Sequence, residues 1–157
     1  MKSEFKFESY KIDTLKLNTA KTVELLNFNG NIPTEKWEID IRIRTPQYLK
    51  SKSSYISGLN IVLNVLGDSE DEKESNSLIN IEAGISGLFK VKNDRFLEGS
   101  EKNIVLIHFP ALLFPYLRSA LTGLIANAGL GTFIFPLINI PGLIKESMKD
   151  IEIQVIE

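Results

Sequence analysis

The sequence predicts an α+β fold: a four-stranded, mostly antiparallel sheet with one long and one short C-terminal helix packed on one face. Two observations lead there. Residue alternation with a period of two dominates the chain up to about residue 86, and from Pro110 the apolar residues recur every three or four positions. Strands that come first and helices that follow argue against alternating β-α-β units and a parallel sheet. The chain of 157 residues has the usual size of one domain, and no repeat or linker divides it, so residues 1–157 are read as a single domain.

Phe5–Leu17 is strand-like, but its apolar phase slips from Phe5 and Phe7 to Tyr10 and Ile12 and back to Leu15 and Leu17. Because successive strand side chains point to opposite faces, such slips predict bulges or a break. Lys36–Thr45 has the clearest period: Trp37, Ile39, Ile41 and Ile43 alternate with Glu38, Asp40, Arg42 and Arg44, giving one apolar and one charged face. Tyr55–Leu66 is apolar on both phases, as in a strand covered on both sides. Ile79, Ile81, Ala83 and Ile85 alternate with Asn80, Glu82, Gly84 and Ser86 in the fourth strand. The charged run from Gly67 to Ser77 between them reads as a solvated hairpin connection, without the ligand spacing of a calcium loop.

Leu113, Tyr116, Leu117, Ala120, Leu121, Leu124 and Ile125 form the wide apolar face of a helix. Pro115 is tolerated best in a first turn, which places the helix start near Phe114, and Gly129 is placed to end it. A shorter helix is expected from about Gly142 to Met148, and the alternating tail Ile151–Glu157 as a short strand or a frayed end.

With no cysteine, the chain has no disulfide, thiolate zinc site or cysteine nucleophile. This composition fits a reducing compartment, and a cytoplasmic location is expected. The lone histidine, His108, lies in the apolar run Ile104–Ala111, where a packed or interface role is favoured over catalysis. A formal charge of −2 without a basic stripe disfavours nucleic acid as a partner. The N-terminal residues lack the apolar core of a signal peptide. Residues 119–144 carry no charge and exceed the roughly 20 residues a bilayer span needs. Gly129, Gly131, Pro136 and Pro141 nevertheless break the continuous helix that a lipid-facing segment requires, so no membrane insertion is expected.

Catalytic constellations are weak. Gly84-Ile85-Ser86-Gly87 lacks the Gly-x-Ser-x-Gly spacing of a nucleophile elbow, and Gly129-x-Gly131 follows a helix rather than a strand. Glu38 and Asp40 lie on a solvated strand face. No enzyme activity, cofactor or metal is expected.

The segment Phe109–Leu124 contains Pro110, then Leu113-Phe114-Pro115-Tyr116 and Arg118, and it resembles the signature of the SecB export-chaperone family. Gly131-Thr132-Phe133 and, more loosely, Pro136-Leu-Ile-Asn139-Ile140 continue the likeness. Ile81–Phe89 is similar to the family's fourth strand, and Trp37 with its alternating strand to the second. The resemblance implies an ATP-independent holdase that binds unfolded or precursor polypeptides in apolar grooves, assembles as a dimer of dimers and, in the type case, delivers clients to the motor SecA. It places Ile39, Ile41, Ile43, Ile79, Tyr116, Ile140, Leu143 and Ile144 along the client groove. Plain core packing is the competing reading for each. Glu82 stands where a SecA contact is expected, whereas Thr14 and Asn18 occupy positions that are acidic in the type case, and the family's long acidic tail is replaced by the short Lys149–Glu157 segment. These departures count against SecA delivery more than against chaperoning, and a dedicated chaperone of an antitoxin in a toxin–antitoxin system is the second reading within the same class. An oligomeric scaffold without affinity for unfolded chains is the alternative from another class.

Overall fold

In the computed structural model of the chain, the strands lie in the order β1–β5–β4, and both β2 and β3 pair with the far edge of β4. Residues 4–19, 37–66, 77–130, 139–144 and 150–157 are described; for 77, 78, 143 and 144 this covers the backbone alone. The strands are β1 (Phe5–Thr19), β2 (Trp37–Ile43), β3 (Gln47–Leu49), β4 (Ser54–Leu66), β5 (Ser77–Val91) and β6 (Gln154–Ile156). All pairings are antiparallel except that of β6 with β3.

Six strands replace the expected four. Arg44-Thr45-Pro46 interrupts the edge strand, since Pro46 has no N–H for the ladder, and splits it into collinear β2 and β3 that face successive parts of β4. The tail supplies the sixth strand, one of the two outcomes its alternation allowed. The phase slips of β1 appear where expected, as register shifts between Phe7 and Ser9 and between Ile12 and Thr14.

Helical structure begins sixteen residues before the expected start, at Glu98 rather than near Phe114. It runs to Asn127 as α1 (Glu98–Asn103), a π-helical turn (Ile104–His108) and α2 (Phe109–Asn127). Pro115 therefore lies inside the helix. The expectation failed because it weighed the proline cost alone. Val105, Leu106, Phe109, Leu113, Leu117 and Leu121 are all fully buried along this rod, and burial at about 1.5–3 kcal/mol per large side chain outweighs a proline penalty of about 3 kcal/mol. The single wide π turn, Ile104–His108, lies directly before Pro110, in the stretch whose carbonyls lose the proline's missing N–H. The rod is long and apolar enough to cross a membrane by length and composition, but half of its most apolar window is buried against the sheet.

At the other end, the prediction for Gly129 holds. Its φ is +80°, and the Gly129 N–H donates to the Ala126 carbonyl while the Leu130 N–H reaches back to Ile125. This is a Schellman cap, closed by the buried pair Ile125 and Leu130. α3 (Ile140–Ile144) starts two residues earlier than expected and packs on α2 and the π turn. Residues 145–148 of the expected second helix, and Gly131–Phe133 and Pro136–Ile138 of the resemblance, lie outside the described residues.

The core lies between α2 and one face of β5, β4 and β1. Where the helix crosses the sheet, Leu113 fills the space that a β-carbon on Gly87 would take. Phe109 stacks on Phe89 with ring centroids 3.8 Å apart, inside a cluster that also holds Phe5, Tyr55 and Phe96.

Candidate functional site

β2 positions the strip that the alternation picked out. Ile39, Ile41 and Ile43 pair in register with Leu63, Ile61 and Leu59 of β4 and share their face. The β4 partners are fully buried, yet the three isoleucines and Trp37 are only half-buried. The cause is reach: α2 packs over β5, β4 and β1, leaving β2 beyond the helix. At about 3.3 Å per residue, Ile39 to Ile43 form an apolar track roughly 13 Å long on an edge strand.

The remaining candidates do not all join this track. Tyr116 lies at the opposite edge of the sheet, beside β1. Its ring stacks on Phe7 at 5.7 Å and touches Tyr10 at 4.4 Å. Both tyrosines, together with Leu15 and Leu112, are exposed there. Ile79, on β5 next to Val65, and Ile140, at the start of α3, are buried core members of the chain. The backbone at Leu143 and Ile144 continues α3, and their side chains lie outside the described residues. Leu117 and Leu121 are core residues. His108 is exposed rather than packed, with Nε2 3.4 Å from Asn103 Nδ2.

Two polar networks brace the site, and the sequence reading missed both. On the helix-free face, Arg44 reaches from the end of β2 across the sheet. It donates to Asn60 Oδ1 at 2.9 Å, to both Asp13 carboxylate oxygens at 2.6 Å and to Ser86 Oγ at 2.7 Å. A side chain on Gly84 would collide with that guanidinium. The Arg44 hydrogen bonds hold the Asp13 carboxyl at about 2, below its ordinary 3.8. Ser86, from the rejected elbow, thus sits mid-strand as a partner of Asp13.

The second network fastens the start of the helical rod. Glu101 is buried and accepts from Arg95 Nε at 2.5 Å, Arg95 Nη2 at 2.8 Å and the Tyr55 hydroxyl at 2.5 Å. Burial opposes its ionised form, but the Arg95 and Tyr55 hydrogen bonds outweigh that and lower its pKa. Burial, and then the bond to Glu101, push the Tyr55 hydroxyl far upward. Tyr55 also accepts from the Phe96 N–H, and Tyr48 donates to Asp94 nearby, so the connection from β5 to the rod is tied down along its length.

Glu82 faces away from the helices. Its cross-strand neighbours are Lys16 on β1 and Val62 on β4, while Thr14 and Asn18 flank Lys16 on the same face. Among the described residues of that face, charges of both signs are mixed, with Lys16, Arg42 and Arg44 on the same stretch of sheet as Glu82, Asp13 and Asp40. Among the described residues there is also no group of three or more acidic or histidine side chains arranged to hold a metal ion.

The signature from Pro110 to Arg118 thus lies on the core helix of a helix-on-sheet fold. The family described as preprotein translocase subunit SecB matches residues 26–150. The chain belongs to the SecB family. Its fold is similar to that of the Mycobacterium tuberculosis Rv1957 SecB-like chaperone, solved in complex with a ChAD peptide from the Rv1956 HigA1 antitoxin. The TM-score is 0.61 at 10% identity, over 86% of this chain and 91% of that one. No curated protein matches the sequence.

Proposed function

We propose that this SecB-family protein is an ATP-independent holdase that grips extended, non-native polypeptide segments along the β2 track. The observation that carries the reading is the strip Trp37, Ile39, Ile41 and Ile43, apolar and half-open on an edge strand that the core helix does not cover. A holdase must accept unrelated sequences, so it needs apolar area and free main-chain groups rather than a tailored pocket. Ile79 and Ile140 support the fold from the core. Tyr116 belongs to a separate aromatic patch on the β1 flank.

That flank is where we place self-association. Tyr10, Leu15, Leu112 and Tyr116 are exposed beside β1, whose described pairing is with β5 alone. A dimer of dimers multiplies the weak grip of each track through effective concentration. Sedimentation velocity tests this assembly: a monomer at micromolar concentration overturns it. Work in the cytoplasm fits a cysteine-free holdase.

For the clients, a dedicated antitoxin chaperone is the reading favoured over general export. The similar fold of Rv1957 was captured with an antitoxin peptide, and Glu82 here is paired across the strand with Lys16 instead of lying in an acidic patch for SecA. The purified protein should suppress aggregation of an unfolded client without ATP, and Ile41→Asp should abolish that effect while the far-ultraviolet dichroism is unchanged. Full client aggregation at a stoichiometric excess of the protein rules out the holdase.

A further inference from the structure

The tail strand β6 occupies the same sheet edge as the client track. β2 and β3 are collinear along β4, and β6 pairs with the outer edge of β3, with Gln47, Tyr48 and Leu49 beside Gln154, Val155 and Ile156. The Gln154 N–H donates to the Pro46 carbonyl at 2.9 Å, at the junction between β3 and the break that follows β2. The chain before β6 arrives from the β2 side, and Ile153 packs against the core. An extended segment laid along β2 and continuing past Ile43 therefore runs into residues already filled by the protein's own tail.

The hold on β6 is light. It is three residues long, it pairs in parallel, and its side-chain ties to β3 and the turn after it are a 3.4 Å contact between Gln47 and Gln154 and an exposed 3.3 Å ion pair between Lys50 and Glu157. Parallel pairing is slightly weaker per residue, and exposed ion pairs contribute little. By contrast, the main-chain groups that β6 covers are the ones an extended client needs. Covering a sheet edge also guards against unwanted strand pairing.

We infer that β6 is a displaceable strap that closes one end of the client track. Segments that fit along the seven residues of β2 bind without disturbing it, and longer ones must strip it from β3. This rests on the holdase reading and specifies its site: the clients are extended segments with alternating apolar residues, graded by length. A tail docked about nine-tenths of the time reduces the affinity for long segments about tenfold, because only the undocked fraction is competent.

The test uses the full-length protein and two fluorescent peptides of alternating isoleucine and serine, one of seven residues and one of fourteen, with affinity read by anisotropy. Gln154→Pro removes the N–H that bonds to Pro46 and leaves Ile153 in place. It should tighten binding of the longer peptide about tenfold and leave the shorter unchanged. Gln47→Cys combined with Gln154→Cys, in a chain with no other cysteine, locks β6 when oxidised; the longer peptide should then bind at least tenfold more weakly than after reduction. Equal affinities in all forms, or weaker binding of the longer peptide to Gln154→Pro, overturn the strap and leave the holdase standing. If neither peptide binds any form, both the strap and the holdase reading fall. If the cystine does not form, the Gln154→Pro result decides alone.

Discussion

The two long edges of the sheet start from similar sequence and end in different chemistry. β1 and β2 each present apolar residues on the helix side, Phe5, Phe7 and Tyr10 on one and Trp37, Ile39, Ile41 and Ile43 on the other. On the β1 edge α2 comes close enough for Tyr116 to stack on Phe7 and meet Tyr10, and Phe5 joins the Phe89–Phe109 cluster. On the β2 edge the helix falls short, and the isoleucines stay half-open. Both edges stay partly exposed, and helix position, rather than composition, decides which one carries an aromatic patch shared with α2 and which one presents an aliphatic strip beyond it.

The largest expected effect removes what both edges share. Phe109→Ala deletes the ring stacked on Phe89 at the centre of the core and should cost about 3–5 kcal/mol in urea unfolding, lowering the midpoint without a new transition. A loss below about 1 kcal/mol contradicts the central place given to this ring. Next, Glu101→Gln detaches the start of the rod from Arg95 and Tyr55 and should cost about 2–3 kcal/mol. Hydrogen exchange should then rise in Glu98–Asn103 before it rises in β2.

The comparison between edges is sharpened by a pair of substitutions. Ile41→Ser should weaken client binding about tenfold while costing only about 1 kcal/mol of stability, whereas Tyr116→Ser should cost a similar amount by losing ring contacts and leave the client affinity of each track within about twofold. Equal effects on client binding would merge the two edges into one site. The smallest effect concerns the brace behind β2. Because the Asp13 carboxyl is held at about 2, below its ordinary 3.8, its stabilisation is fully present above about pH 4 and is lost as the pH falls toward 2. Asp13→Asn should therefore lower stability by on the order of 1–2 kcal/mol at pH 7 and make almost no difference near pH 2.

Much of this was legible beforehand. Alternation marked Ile39, Ile41 and Ile43 as one face, the slipped phase of β1 marked both bulges, and Gly129 marked the end of the helix, because each depends on neighbours in sequence. The start of the helical rod was not legible. Its first turn contains Gly99, two prolines follow further along, and it is held by Glu101 meeting Arg95 and Tyr55, the latter 46 positions away. The reach of Arg44 to Asp13, 31 positions distant, was hidden for the same reason. Tyr116 and Ile41 were grouped as one groove because the sequence does not show that two strands and the helix lie between them.

By itself, then, the sequence determined the α+β class, the faces of the strands and the family signature, all of which follow from local periodicity and backbone preference. Only the tertiary structure decided which apolar face is left open, how two internal prolines survive in a core helix, and where the tail comes to rest. Those outcomes depend on burial and hydrogen bonds between residues far apart in the chain, and such terms have no local signal to read.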